Sequence, residues 1–88
     1  MAWRVEFTTE AAKQLRKLDR TVAGRIAAFL SETVSSFPDP RLRGKALTGN
    51  LSGLWRYRVG KYRVLCQIDD GQLLVLVVQV DHRRDIYR

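Results

Sequence analysis

One cysteine, one histidine and two prolines occur among the 88 residues of this chain, and these shortages exclude several kinds of protein. A lone Cys66 cannot form an internal disulfide, and its place on the apolar parity of an expected strand makes it a small core residue rather than a catalytic thiol. A lone His82, without carboxylates paired at ligand spacing, serves metal chemistry poorly. No serine or threonine is expected beside His82, so a triad hydrolase lacks its nucleophile. Gly44-Lys45 has neither the upstream glycine nor the following hydroxyl of a phosphate-cradling P-loop. No apolar run approaches the roughly 18 residues that span a bilayer, and the opening MAWRVEF contains none. The expectation is therefore a cytoplasmic protein with no membrane partner and no cofactor or metal.

Acidic residues are scarce too, nine against sixteen Lys+Arg, for a formal charge of +7. On so small a body that excess points to an anionic partner such as nucleic acid. With 45% hydrophobic residues, residues 1–88 suffice for one domain around a single modest core.

The most informative stretch is LWRYRVGKYRVLCQI, residues 54–68. Trp55, Tyr57 and Val59 alternate before Gly60-Lys61, and Tyr62, Val64, Cys66 and Ile68 alternate after it. A period of two around a two-residue break with Gly first reads as a tight β-hairpin. In that register Arg58 faces Arg63 and Arg56 faces Leu65, all opposite the aromatic set, which is assigned to the core. Like charges directly across a strand pair cost some tenths of a kcal/mol, so three arginines on this small area suit an arriving anion.

Ahead of the hairpin, Trp3, Val5 and Phe7 alternate as a first strand. Thr8 or Thr9 offers a helix cap, and Ala11, Ala12, Leu15 and Leu18 give helical spacing over about 9–18, with Lys13, Gln14, Arg16 and Lys17 outward. Val22, Ile26, Phe29, Leu30 and Val34 mark a second helix over about 21–36, ended by Pro38 and Pro40. The short joint makes the two helices an antiparallel hairpin. Residues 38–53 read as a basic loop with Arg41, Arg43 and Lys45.

Asp70-Gly71 signals a second tight turn, and LLVLVVQV after it reads as a strand inside the sheet. Pairing 69 with 72 sets Arg63 beside Val78 and Leu65 beside Leu76. The arginine face then becomes apolar at one end, through Leu65, Leu74, Leu76 and Val78, a surface suited to an amphipathic acidic helix from another protein. The same pairing carries the tail, DHRRDIYR, to the first hairpin's turn, adding His82, Arg83 and Tyr87 to Arg56, Arg58 and Arg63. The fold class is α+β: a strand, a helix hairpin, then a three-stranded antiparallel meander.

Such a cluster suits phosphate chemistry without a metal. Arginine forks clamp a phosphate and stabilise the added charge of its transition state. RNA supplies its own nucleophile, the 2′-hydroxyl, leaving the protein to move protons and hold a splayed base. His82 has a suitable titration range, and Tyr87 can stack or donate a hydrogen bond. Lys13, Lys17, Arg41, Arg43, Lys45, Arg84 and Arg88 are candidate RNA contacts.

The order strand, helix hairpin, basic loop and three strands, with L-x-G-x-L-x-G-x-W-R-Y-R-V-G-x-Y-R-V-L-C-Q-I-D-D-G and a closing H-R-R-D-I-Y, resembles the RelE/ParE superfamily of bacterial type II toxin–antitoxin toxins over nearly the whole chain. That resemblance implies a microbial-RNase-like fold and one of two activities: RelE-type cleavage of mRNA in the ribosomal A site by 2′-hydroxyl attack, or ParE-type poisoning of DNA gyrase. It places the RelE basic pair on Arg56 and Arg58, its later arginines on Arg63 and Arg83, and its tyrosine on Tyr87. Arg63, Arg83 and Tyr87 together favour the nuclease. The RelE pair is typically lysine and arginine is a poor base, so His82 is the candidate proton acceptor. The chain stops at Arg88, short of the longer C-terminal helix of some members. The resemblance also implies a ribosome and mRNA as partners, and a small acidic cognate antitoxin blocking the active face; the apolar end at Leu65, Leu74 and Leu76 fits that independently. A basic binding module without catalysis is the third reading.

Overall fold

The computed structural model describes residues 3–36 and 38–82, with the side chains of 33–36 left aside. Within it, strand β1 (Arg4–Phe7) leads into helices α1 (Thr9–Arg16) and α2 (Arg20–Ser36), followed by strands β2 (Lys45–Ala46), β3 (Trp55–Val59), β4 (Tyr62–Asp69) and β5 (Leu74–His82). They form one sheet in the order β1-β5-β4-β3-β2, with β1 parallel to β5 and the other pairs antiparallel. The α+β class and its expected elements are present, together with a strand, β2, too short for its period to show in sequence.

Local chemistry sets the element ends. The Thr8 hydroxyl accepts from the Ala11 amide at 3.1 Å and starts α1. Asp19 does the same for α2 through the Thr21 amide, also at 3.1 Å. Both helices cover one sheet face, where Ala11, Ile26 and Leu30 meet Tyr57, Val64, Cys66, Val75, Val77 and Val80. That face holds the aromatic parity of the first hairpin, as expected. Gln14 does not face outward: its Oε1 accepts from the Val80 amide at 2.7 Å. Strand β1 pairs only up to Val77, so a helix side chain satisfies the β5 amide beyond it. Among the described residues no helix is long and apolar enough to cross a membrane.

The first hairpin has the expected register, Val59 opposite Tyr62, Arg58 opposite Arg63 and Arg56 opposite Leu65. Gly60 takes φ +59° at the first turn position, as a primed turn requires. The second hairpin differs from expectation. Asp69 pairs with Leu74, not residue 72, so residues 70–73 all belong to the turn, and Leu73 adopts a left-handed φ of 51°. A bulge then shifts the register between Leu65 and Cys66, so that Leu65 faces Gln79 and Arg63 faces Asp81 rather than Val78.

Cys66 is fully buried in the core, and burial pushes its thiol from 9.0 up to about 12. Above pH 9 the unfolded chain releases this proton while the folded chain keeps it. The unfolded state then binds fewer protons, and stability falls as pH rises, by about 1 kcal/mol between pH 9 and 10. Denaturant unfolding across that interval measures the slope, and Cys66→Ala is expected to flatten it.

Candidate functional site

On the face turned away from the helices, three strands present a row of charge. Arg58 on β3, Arg63 on β4 and Asp81 on β5 lie side by side, each directly opposite the next. The neighbouring row runs Lys45, Arg56, Leu65, Gln79 across β2 to β5. Strand β2 thereby brings Lys45 from the basic loop onto the arginine face.

These cations differ in their surroundings. Arg58 is exposed and has neither ion pair nor hydrogen bond among the described residues. Arg56 is half-buried beside Leu65, and its Nε is a buried donor with no partner. Such a group is costly to leave unmet. Arg63 donates through Nε and Nη2 to the two carboxylate oxygens of Asp81, both at 3.4 Å, and Gln79 Nε2 donates to the same carboxylate. Among the described residues the face therefore offers three cations without an ion pair, Lys45, Arg56 and Arg58, around one arginine already held in place.

His82 does not join them. The bulge in β5 turns it to the helix side, where its ring stands edge-on to Tyr62 with centroids 4.9 Å apart. There it lines a cavity of about 320 Å³ with Val22, Arg25, Val59, Gly60, Lys61 and Tyr62. The expectation that His82 sits beside Arg58 and Arg63 is corrected: it lies at the right level along the sheet, on the opposite face, and Asp81 takes the place expected for it. Arg83, Arg84, Tyr87 and Arg88 lie outside the described residues.

The remaining basic candidates scatter. Arg41 is spent on structure: its fork meets Asp70 at 3.1 and 2.7 Å and Asp39 at 3.2 Å, while its Cζ lies 5.7 Å from the Trp55 ring centre. The Arg41 hydrogen bond holds the Asp70 carboxyl below its usual range. Arg43 packs its guanidinium over Phe29 at 6.0 Å. Lys13 and Lys17 are exposed at the α1 end of the helix layer, away from the arginine face.

Residues 5–87 match the family described as ParE toxin of type II toxin-antitoxin system, parDE. The chain belongs to the ParE toxin family. Toxin RelG of Mycobacterium tuberculosis is 39% identical over 88 residues, spanning all of this chain and 99% of the relative. Toxin RelE of the same organism is 33% identical over 98% of this chain and 87% of its own. The crystal structure of the RelBE2 toxin–antitoxin complex from M. tuberculosis contains a chain that superposes with a TM-score of 0.84 and 35% identity, covering 94% of this chain and 93% of that one. The protein is thus a type II toxin–antitoxin toxin with RelE-like relatives, as its sequence implied.

The toxin's apolar patch also differs from expectation. Leu74 and Leu76 are half-buried on the arginine face, but Leu65 is only 1% exposed. Leu65 therefore forms the floor between Arg56 and Gln79 rather than an exposed part of the patch.

Proposed function

We propose that this toxin inhibits translation as a ribosome-dependent, metal-independent mRNA endoribonuclease, with the scissile phosphodiester on the arginine face. The carrying observation is the direct opposition of Arg58 and Arg63 on neighbouring strands, flanked by Arg56 and Lys45, which make no ion pair among the described residues. A phosphate placed there meets two guanidinium forks from two strands and turns a repulsive pair into a clamp. The 2′-hydroxyl next to that phosphate attacks it, and the arginines stabilise the extra charge on the phosphoryl oxygens. Arg83 and Tyr87 complete the site in this reading, on the strength of the RelE-like resemblance; His82, turned to the helix side, is given no part in it. RNA meets the same face through Lys45.

The RelB-type complex formed by the M. tuberculosis relative supports a cognate antitoxin here as well. Its acidic segment would neutralise the arginines in the cytoplasm while apolar residues cover Leu74 and Leu76. The reading is tested with purified ribosomes programmed with a defined mRNA. Cuts within A-site codons, seen only when the toxin is added, are the expected result. Intact mRNA together with inhibited gyrase supercoiling would replace this reading with the gyrase one.

A further inference from the structure

The β5 bulge does more than displace His82. By adding one residue to β5 between Val77 and Gln79, it turns Gln79 and Asp81 onto the arginine face, where an unbroken strand would have placed Val78 and Val80. We propose that Asp81 is a positioning residue: it sets the orientation in which the Arg63 fork meets the scissile phosphate. This rests on the reading of the arginine face as a phosphodiester site.

A guanidinium has five N–H donors in a rigid plane. Asp81 engages only the edge formed by Nε and Nη2, so the edge carrying Nη1 keeps its donors for an incoming anion. With that edge fixed and the side chain only 18% exposed, Arg63 has few orientations left to lose when substrate binds. Both contacts, at 3.4 Å, are longer than the roughly 2.7–2.9 Å of a tight charge-assisted bond. They therefore orient the fork while leaving it room to close on phosphate.

Gln79 steadies the carboxylate in turn, from two residues earlier on the same strand. Asp81 also offsets one of the two positive charges that face each other across β3 and β4, which lets Arg58 and Arg63 stay in register before any anion arrives. With three N–H donors of Arg63 and Gln79 directed at its oxygens, the carboxylate acts through Arg63 in this proposal and takes no proton from RNA.

The test is a double-mutant cycle on ribosome-bound mRNA. Asp81→Ala is expected to lower kcat by up to about 10²-fold, the loss when a positioned group is misplaced, with KM within about threefold, and to add less than about threefold in an Arg63→Ala background. Asp81→Asn keeps one acceptor for an Arg63 N–H and is expected to recover most of the loss, whereas a proton acceptor would be lost equally in both variants. A circular dichroism melt of each variant removes unfolded protein from the comparison.

A second cycle reads the affinity of an RNA oligonucleotide blocked by 2′-deoxy substitution. Asp81→Ala is expected to change it with Arg63 present and to leave it unchanged in Arg63→Ala. A carboxylate acting only as bulk charge would shift both backgrounds equally, and that equality overturns the proposal, as does an unaltered kcat. Should the wild-type toxin leave mRNA intact, the nuclease reading falls by itself, and the oligonucleotide cycle still decides whether Asp81 acts through Arg63.

Discussion

Arg58→Ala is expected to slow cleavage of ribosome-bound mRNA by about 10²- to 10³-fold, the usual loss when one preorganised donor to a developing anion is removed. The same substitution is expected to leave stability unchanged or slightly higher. Arg58 is exposed, makes no ion pair among the described residues, and stands directly across from Arg63. Deleting it removes a like-charge opposition worth some tenths of a kcal/mol and nothing that holds the fold. A residue whose loss abolishes work while relieving strain is placed for a ligand rather than for the core. Arg58→Lys keeps the charge and loses the bidentate fork, so its rate should fall between the two. Single-turnover cleavage and thermal unfolding, measured on the same preparations, separate the outcomes. Wild-type cutting by Arg58→Ala would move the scissile phosphate off this face, whereas loss of cutting with a lowered melt would make Arg58 a structural residue.

The two hairpins show where sequence reading succeeds. Residues 55–64 alternate apolar and charged side chains around a glycine that needs a positive φ, so period and turn chemistry agree, and the register of β3 with β4 follows residue by residue. In LLVLVVQV there is no alternation to read. An all-apolar run fits either face equally well, and an inserted residue leaves no mark until Gln79 and Asp81. The turn before it misleads instead: Asp70-Gly71 signals a two-residue loop, whereas the left-handed position is held by Leu73, a residue that carries no turn signal. That single ambiguity exchanged His82 for Asp81 at the arginines. The Arg41–Asp70 clamp, 29 residues apart in sequence, and the two-residue β2 depend on tertiary placement and have no local signature. The basic character of the arginine face was legible from the hairpin's alternation; which carboxylate tempers it was not.

The largest stability effect is expected at Tyr57, which lies between Arg56 and Arg58 and points the other way. Its ring is fully buried and meets Phe29 of α2 edge-on at 5.8 Å and 65°. Its hydroxyl donates to the Pro40 carbonyl at 2.6 Å, and a side chain at Gly44 would come within 3.1 Å of its ring. One residue thus ties β3 to the second helix and to the loop that leads into β2. Burial pushes the phenol upward from its ordinary range, so it remains a donor across the working pH range. Tyr57→Phe keeps the packing and strands the Pro40 carbonyl, for an expected loss of about 1–3 kcal/mol, or at least about 4–8 °C in melting temperature for a domain this size. Tyr57→Ala adds a cavity, for a total of about 3–5 kcal/mol, a large part of the roughly 5–15 kcal/mol that holds a domain together. Denaturant unfolding of both variants tests the division: a Phe variant as stable as wild type would assign the whole effect to the ring. Because the flanking arginines ride on the same strand, cleavage by the Phe variant should persist below its melting temperature and vanish with the fold above it, as expected if the core sets the spacing of Arg56 and Arg58 and takes no part in the chemistry.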